Sequence, residues 1–543
     1  PLPPHKNAPR PRPTVRPWWP GQRRRSQAYA HNEGRTGIGT GPQNGVHHKF
    51  FHTGRSHRGW EELECPPYSG PCSLRHGFDL HIISAVVQLD VQKGHVGRSV
   101  IMTAILSLAI PVVINSFLQT MYNLTDTYWL GHIGKEELAA INLVTPVQNI
   151  VINFGTGITV AGSVLVAQYI GAKEDKEARK MASQIYTCAM IFAFVCAALC
   201  FLLAPAIVSW LGAEGDISIY SRQYLQIVIL DMPFLFTINM FTAVNQAQGD
   251  TVKPMLLNFV GIILNMIMDP LLMVTMKLGI SGAALATVFA KLPPAVIALW
   301  SLLRKENNIY LDYDKFRFEA DKLKDILKIG LPTAIGGSTM QFGFLLMSKN
   351  VYKYGTEAMA AYGIGNKVNS LITLPSNGIG SATATIVGQN MGAGQIDRAK
   401  KGYIMSRNIC VVFLFVGGMI LSRAPISRAI VCIFNNDAEV AAMASDFLSI
   451  MAFWCWTNGV YNSTSGLFQG TGHTEVTMLV DASRLWVFRF LTLFFCESVL
   501  HMGVRSVWYS VVVSNAVSSL ILYIVYRTNI WKKSKIKVKG GRT

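Results

Sequence analysis

From about residue 100 onward the chain alternates long apolar blocks with short charged, turn-rich segments, as Ile101–Leu130 and Phe192–Trp210 illustrate. A helix of roughly 20 mostly apolar residues crosses a bilayer core of about 30 Å. The pattern predicts twelve spans, at 104–130, 139–168, 181–206, 222–246, 254–276, 279–303, 326–350, 358–390, 404–430, 440–468, 476–500 and 503–527. Residues 1–92 show no such period. Pro, Arg, Gly and His dominate them, as in Pro9–Pro20 and Arg23–Arg25, and composition of that kind predicts disorder. Met102 is the first methionine of the chain, and the head before it is expected to be a dispensable extension.

The spans fall into two copies. Residues 131–180 and 352–401 align without a gap at an offset of 221, pairing Gly134 with Gly355, Gly157 with Gly378 and Gln168 with Gln389. Upstream, Pro111 pairs with Pro332 at the same offset. Six spans per copy leave both copies in one orientation, so they should be related by an axis along the membrane normal with a cavity between them. The fold class expected is an all-α polytopic membrane protein of twelve transmembrane helices in two pseudo-symmetric six-helix bundles. Its parts are a polar head at 1–92, bundles at 93–303 and 326–530, a linker at 304–325 and a basic tail at 531–543.

Charge sharpens this picture. Only 15% of residues are charged, against about 25% in soluble domains. The net charge of +18 does not gather on one folded face: the first 100 residues hold 14 Lys/Arg and 6 Asp/Glu, and the rest lies mainly in loops and tail. Nucleic-acid binding is thereby excluded. Beyond residue 100, loops 2–3, 6–7 and 8–9 and the tail carry most of the Lys and Arg, including Lys173, Lys176, Arg398, Lys400 and Lys401. By the positive-inside rule both termini are expected to be cytoplasmic, in the cell's plasma (inner) membrane. Six cysteines lie within apolar blocks and act as small hydrophobes, and Cys65 with Cys72 is weak evidence for zinc.

Acids inside spans are costly and mark function by default. Asp126 lies in span 1, Asp231 in span 4 and Asp269 in span 5; Tyr122 and Asn265 each stand one turn before an acid and share its helix face. Two buried carboxylates among such groups make a proton or sodium site, because a proton or a cation can neutralise them. The second copy lacks these acids: Asp126 becomes Met347, and the counterpart of Asp269 lies in Phe488-Arg489-Phe490. Ion coupling is therefore expected in the first bundle alone. Asp231 has weaker claims, Arg484 and Arg489 read as snorkelling or paired side chains, and few other interior cations are evident. Pro111 shares a helix with Asp126 and is a candidate hinge. The spans contain no HExxH, GxSxG or phosphate-loop motif, so an enzyme is not expected.

Tyr122-Asn-Leu-Thr-Asp126-Thr-Tyr-Trp-Leu-Gly131, followed by Ala139-Ala140 and Pro146, resembles the first-helix signature of multidrug and toxic compound extrusion (MATE) transporters. Asn265-Met-Ile-Met-Asp269-Pro270 resembles their fifth-helix signature, and the likeness extends over about 93–530. The resemblance implies a monomeric secondary antiporter that exports lipophilic cationic small molecules in exchange for H⁺ or Na⁺, with no other cofactor. It implies ion-holding positions at Asp126, Asn245, Asn265, Asp269 and Thr287, with Tyr122 beside them and a bend at Pro111; Na⁺, if used, would sit at Asp126 and Asp269. The alternative within the same superfamily is a flippase for lipid-linked oligosaccharides, which would favour a cationic central cavity.

Overall fold

A computed structural model describes residues 98–133, 135–314, 316–434 and 437–533, all within one compact unit. The expected head at 1–92 and most of the tail lie outside the described residues, which form helices and loops with no strand. Spans 1, 2 and 3 are single helices, Arg98–Ile133, Lys135–Gly171 and Asp175–Trp210. Span 4 runs through Gly215–Val228 and Met232–Gln248, joined by the 3₁₀ turn Ile229–Asp231. Span 5 is Val252–Pro270 continued by a π-turn at Leu271–Thr275, and span 6 is Gly279–Leu303. In the second bundle, Ala320–Tyr352, Thr356–Gly392 and Ile396–Leu421 are spans 7, 8 and 9. Span 10 is Ala438–Trp454 and Trp456–Gly470, which meet at 52°. Span 11 is Thr474–Ser483, a π-turn at Arg484–Arg489, and Phe490–Ser498; span 12 is Arg505–Arg527.

Eight helices among the described residues are long and apolar enough to cross a membrane, and the bent span 10 makes nine. Spans 7 and 8 are helices of 33 and 37 residues whose Gly, Ser, Thr and Asn dilute their hydropathy, and span 11 is broken by its π-turn. These complete the twelve. Several helices run a turn or two beyond the expected bounds, and one expected span is divided. Span 9 ends at Leu421, and residues 424–432 form a separate short helix. Pro425 explains the break, because it cannot donate a backbone hydrogen bond and is accommodated in the first turn of the new helix.

Glycine lets the two bundles touch. Spans 2 and 7 meet where a Cβ on Gly157 would lie 2.4 Å from the Gly330 carbonyl oxygen. Spans 2 and 8 approach still more closely at their last turns: a Cβ on Gly171 would fall 2.0 Å from the Gln389 carbonyl oxygen, and one on Gly392 1.9 Å from that of Gln168. Two side chains cross the same seam in opposite directions. Gln168 Nε2 donates to the Gly470 carbonyl at 2.7 Å, and Gln389 Nε2 donates to the Ala247 carbonyl, also at 2.7 Å. Both pairs, Gly171 with Gly392 and Gln168 with Gln389, obey the 221-residue offset. The seam lies at the end of the molecule that carries the basic loops after Gly171 and Gly392.

The largest buried apolar cluster joins Leu165, Met181, Ile185 and Met240 of the first bundle to Ile329 at the start of span 7. Ile309 and Leu311 of the linker enter the same cluster, so the connection is packed down rather than slack. Gly392→Val should force spans 2 and 8 apart at the seam. Overpacking of this kind costs about 1–3 kcal/mol. The expected outcome is an earlier thermal unfolding midpoint of the detergent-solubilised protein, and an unchanged midpoint would show that the seam tolerates separation.

Candidate functional site

Helical spacing aligns three polar stripes on one space inside the first bundle. Asn115, Gln119 and Tyr122 recur at i, i+4 and i+7 along span 1, and Asn258, Ile262 and Asn265 do so along span 5. Thr287 and Lys291 lie one turn apart on span 6, and Asn239 arrives from span 4. Together these residues line a cavity of about 200 Å³. The space is large enough for several waters. It admits a hydrated ion or a small organic group.

Asp269 is fully buried one turn beyond Asn265. Asn265 is itself 3% exposed, and neither its amide oxygen nor its nitrogen has a protein partner among the described residues. An amide held dry in this way is a standing invitation to a ligand, since a buried polar atom left unpaired costs about 1–3 kcal/mol. Thr287 Oγ1 donates to the Ala283 carbonyl at 3.2 Å, which leaves its lone pairs for a cation. Oxygen donors of this sort fit Na⁺ as well as a protonated carboxyl. Asn245 stands apart. Its Nδ2 donates to the Phe241 carbonyl of its own helix at 2.8 Å, and it does not line the cavity. Asp126 follows Tyr122 by one turn on span 1, but its side chain lies outside what the structure describes.

Pro111 is buried within an unbroken helix. Proline cannot donate to the carbonyl four residues earlier, here that of Ser107. The Thr251 hydroxyl, from the short connection between spans 4 and 5, reaches that carbonyl at 3.5 Å.

One charged residue escaped the sequence reading. Lys291, in the middle of span 6, lines the cavity and forms an ion pair with Oδ2 of Asp231, which is fully buried at the end of the 3₁₀ turn in span 4. Asp231 thus acquires a partner 60 residues away, and the first bundle contains an interior cation that sequence reasoning did not count. Its position at the midpoint of an apolar span was the available signal. Asn115, Gln119, Asn239 and Asn258 were also missed, although the i, i+4, i+7 stripes were there to be read. In span 11, Arg484 pairs with Asp481 at 3.1 Å, whereas Arg489 is only 3% exposed and so does not snorkel.

The MatE family profile matches this chain twice, at residues 111–271 and 332–495. The chain belongs to the MatE family. The two matches begin 221 residues apart, at the offset of the internal repeat. MatE proteins are transporters rather than enzymes, and the chain is a multi-pass membrane protein. It is 24% identical over 435 residues to the "Probable multidrug resistance protein YoeA" of Bacillus subtilis, covering 79% of this chain and 93% of that one. It is 23% identical to the "Multidrug export protein MepA" of Staphylococcus haemolyticus, covering 83% of this chain and all of the other. Among solved structures, a MATE in complex with MaL6 superposes with a TM-score of 0.75 at 22% identity, over 79% of this chain and 96% of that one.

Removing one partner of a buried ion pair strands the other. Lys291→Met in this MatE protein is expected to destabilise it by about 3–5 kcal/mol, and the double variant Lys291→Met/Asp231→Asn should recover most of that loss. Thermal unfolding of the single and double variants in detergent measures the difference. Equal midpoints for both would show that the pair is not coupled.

Proposed function

We propose that the protein is a secondary active multidrug exporter that moves lipophilic organic cations outward in exchange for H⁺ or Na⁺. The observation that carries this reading is the polar cavity of the first bundle, with Asn265 unpartnered in its wall and Asp269 fully buried one turn further on. The printed names of the relatives, a multidrug resistance protein and a multidrug export protein, support the choice of cargo. The basic loops support a cytoplasmic position for the closed seam. The coupling site then faces outward, where an ion can enter. Asp126 and Asp269 take up the ion, Asn265, Thr287 and Tyr122 surround it, and span 1 adjusts near Pro111 as the cargo leaves. Asn245, turned to its own backbone, supports the fold of span 4 in this state. Both bundles lie within one chain, so the reading needs no second copy.

The energies suffice. Moving one charge across the membrane is worth about 2.3 kcal/mol per 100 mV, and one pH unit about 1.36 kcal/mol. Exporting a monovalent cation to a 100-fold gradient against 100 mV therefore needs about 5.0 kcal/mol. One proton entering down one pH unit supplies about 3.7 kcal/mol and two about 7.4, so two carboxylates can meet the demand.

Ethidium transport into proteoliposomes, under an imposed pH gradient or an imposed Na⁺ gradient, tests the proposal. One gradient should drive transport, and Asp269→Asn should abolish it while leaving ethidium binding in place. Transport that survives the substitution would move coupling to another acid. An absence of transport under both gradients would favour the lipid-linked oligosaccharide flippase.

A further inference from the structure

The second bundle carries the opposite charge at the matching place. Asp269 of span 5 corresponds, at the 221-residue offset, to position 490, and the residue beside it is Arg489. Each span has a π-turn near this place, just after Asp269 at Leu271–Thr275 and just before position 490 at Arg484–Arg489. Such turns are frequent at functional sites. Arg484 is compensated: its Nη2 lies 3.1 Å from Asp481 Oδ1, its guanidinium stacks 4.8 Å from the Tyr461 ring centre, and the Tyr461 hydroxyl donates to Asp481. Arg489 is not. Its Nε donates to Ser514 Oγ at 3.2 Å and its Nη2 to Asn515 Oδ1 at 3.4 Å, both neutral acceptors. Its Nη1 is buried with no partner, and no carboxylate among the described residues forms an ion pair with it. The cluster of two arginines and one aspartate therefore keeps a net positive charge in a membrane-embedded bundle, an arrangement that is costly unless an anion completes it.

Span 7 connects this charge to the space between the bundles. Gly337 packs on Asn153 of span 2, where a Cβ would lie 3.1 Å from the Asn153 amide oxygen. Met340 and Phe344 follow Gly337 by three and seven residues and share its side of the helix. Met340 accepts from Arg484 Nη2 at 3.3 Å, and the Phe344 ring lies 5.9 Å from the Arg489 guanidinium. The arginines thus sit behind the face that span 7 turns toward the first bundle.

We propose that Arg489, supported by Arg484, is a binding site for the oxyanion of an amphiphile, a carboxylate or a phosphate held by the free Nη1 edge of the guanidinium. Arginine presents paired N–H groups in a planar fork that matches such an anion. The oxyanion belongs either to a transported molecule or to an anionic lipid headgroup. The first source extends the transport reading from lipophilic cations to amphiphiles that also carry an acid; the site itself does not depend on that reading.

The test uses tetramethylrhodamine, which bears a free carboxylate, and its ethyl ester, in which that carboxylate is masked. Binding of each dye to the full chain in neutral detergent is measured by fluorescence polarisation, with no ion gradient, so failure of the transport proposal is scored separately. Arg489→Met should weaken binding of the acid about tenfold and change binding of the ester less than twofold, and Arg489→Lys should restore part of the loss. Because an uncompensated buried charge is removed, the thermal midpoint of Arg489→Met should equal or exceed that of the wild type. Three results would overturn the site: no binding of the acid by wild type, acid binding unchanged in Arg489→Met, or loss of both dyes together with a lowered midpoint. In nanodiscs, competition by phosphatidylglycerol against the acid, absent in Arg489→Met, would identify a lipid headgroup as the occupant. Acid binding untouched by phosphatidylglycerol would identify the transported molecule.

Discussion

The rest of the structure depends on how closely the two bundles approach, and they come closest at the last turns of spans 2 and 8. At the ends of spans 2 and 8 the backbones meet with no side chain between them, because Gly171 and Gly392 each face a carbonyl of the other span. Gln168 and Gln389 then tie each bundle to the far one with hydrogen bonds that run in opposite directions. Lipid offers no alternative partner for such groups, so a membrane protein must satisfy them internally. Closing the chain at this end leaves the polar stripes of spans 1, 5 and 6 to converge on a cavity within the first bundle. The seam and the duplicated sequence are two views of one fact, since the glycines and the donating glutamines that build it pair at the same offset.

The repeat gives the two bundles one architecture, but their interior charges differ. The first bundle keeps fully buried acids at Asp231 and Asp269, with Lys291 offsetting one of them. In the second bundle Met347 stands at the counterpart of Asp126, and Arg489 lies beside the counterpart of Asp269. Met347 is fully buried in an apolar cluster with Phe447 and Trp508, so the second bundle has no counterpart to the acid of span 1. A transporter built from two similar halves is therefore electrically lopsided. Buried acids on one side and a buried arginine without a carboxylate partner on the other thus belong to two halves of one repeat.

Much of this was legible in the residues. Apolar block length gave the spans, a constant offset gave the two bundles, and the spacing of Asn265 to Asp269 put both on a buried face of span 5. Periodicity, however, says which side of a helix is polar and not which helix opposes it. Asp231 had no visible purpose until span 6 brought Lys291 to it across 60 residues. Asn245 seemed an equal of Asn265, yet a bond to its own helix turns its amide inward and away from the cavity. Spans 7 and 8 are polar enough that hydropathy alone understates them, because the glycines and hydroxyls that lower it are what allow close packing between the bundles. The break after span 9 was signalled by Pro425 and passed over.

The contact between Thr251 and Ser107 reaches further than its length suggests. A proline leaves one carbonyl of its helix without a rung, and that gap is usually a permanent weakness. Here a hydroxyl from another span fills it at 3.5 Å, the long end of the range for such a bond. If span 1 bends near Pro111 as proposed, the carbonyl loses only a weak and replaceable partner. Since that partner belongs to the turn between spans 4 and 5, any shift of the turn alters the stiffness of the helix that carries Tyr122 and Asp126. The compliance of span 1 is thus a property shared among three helices, set from the outside by a side chain that never touches the cavity.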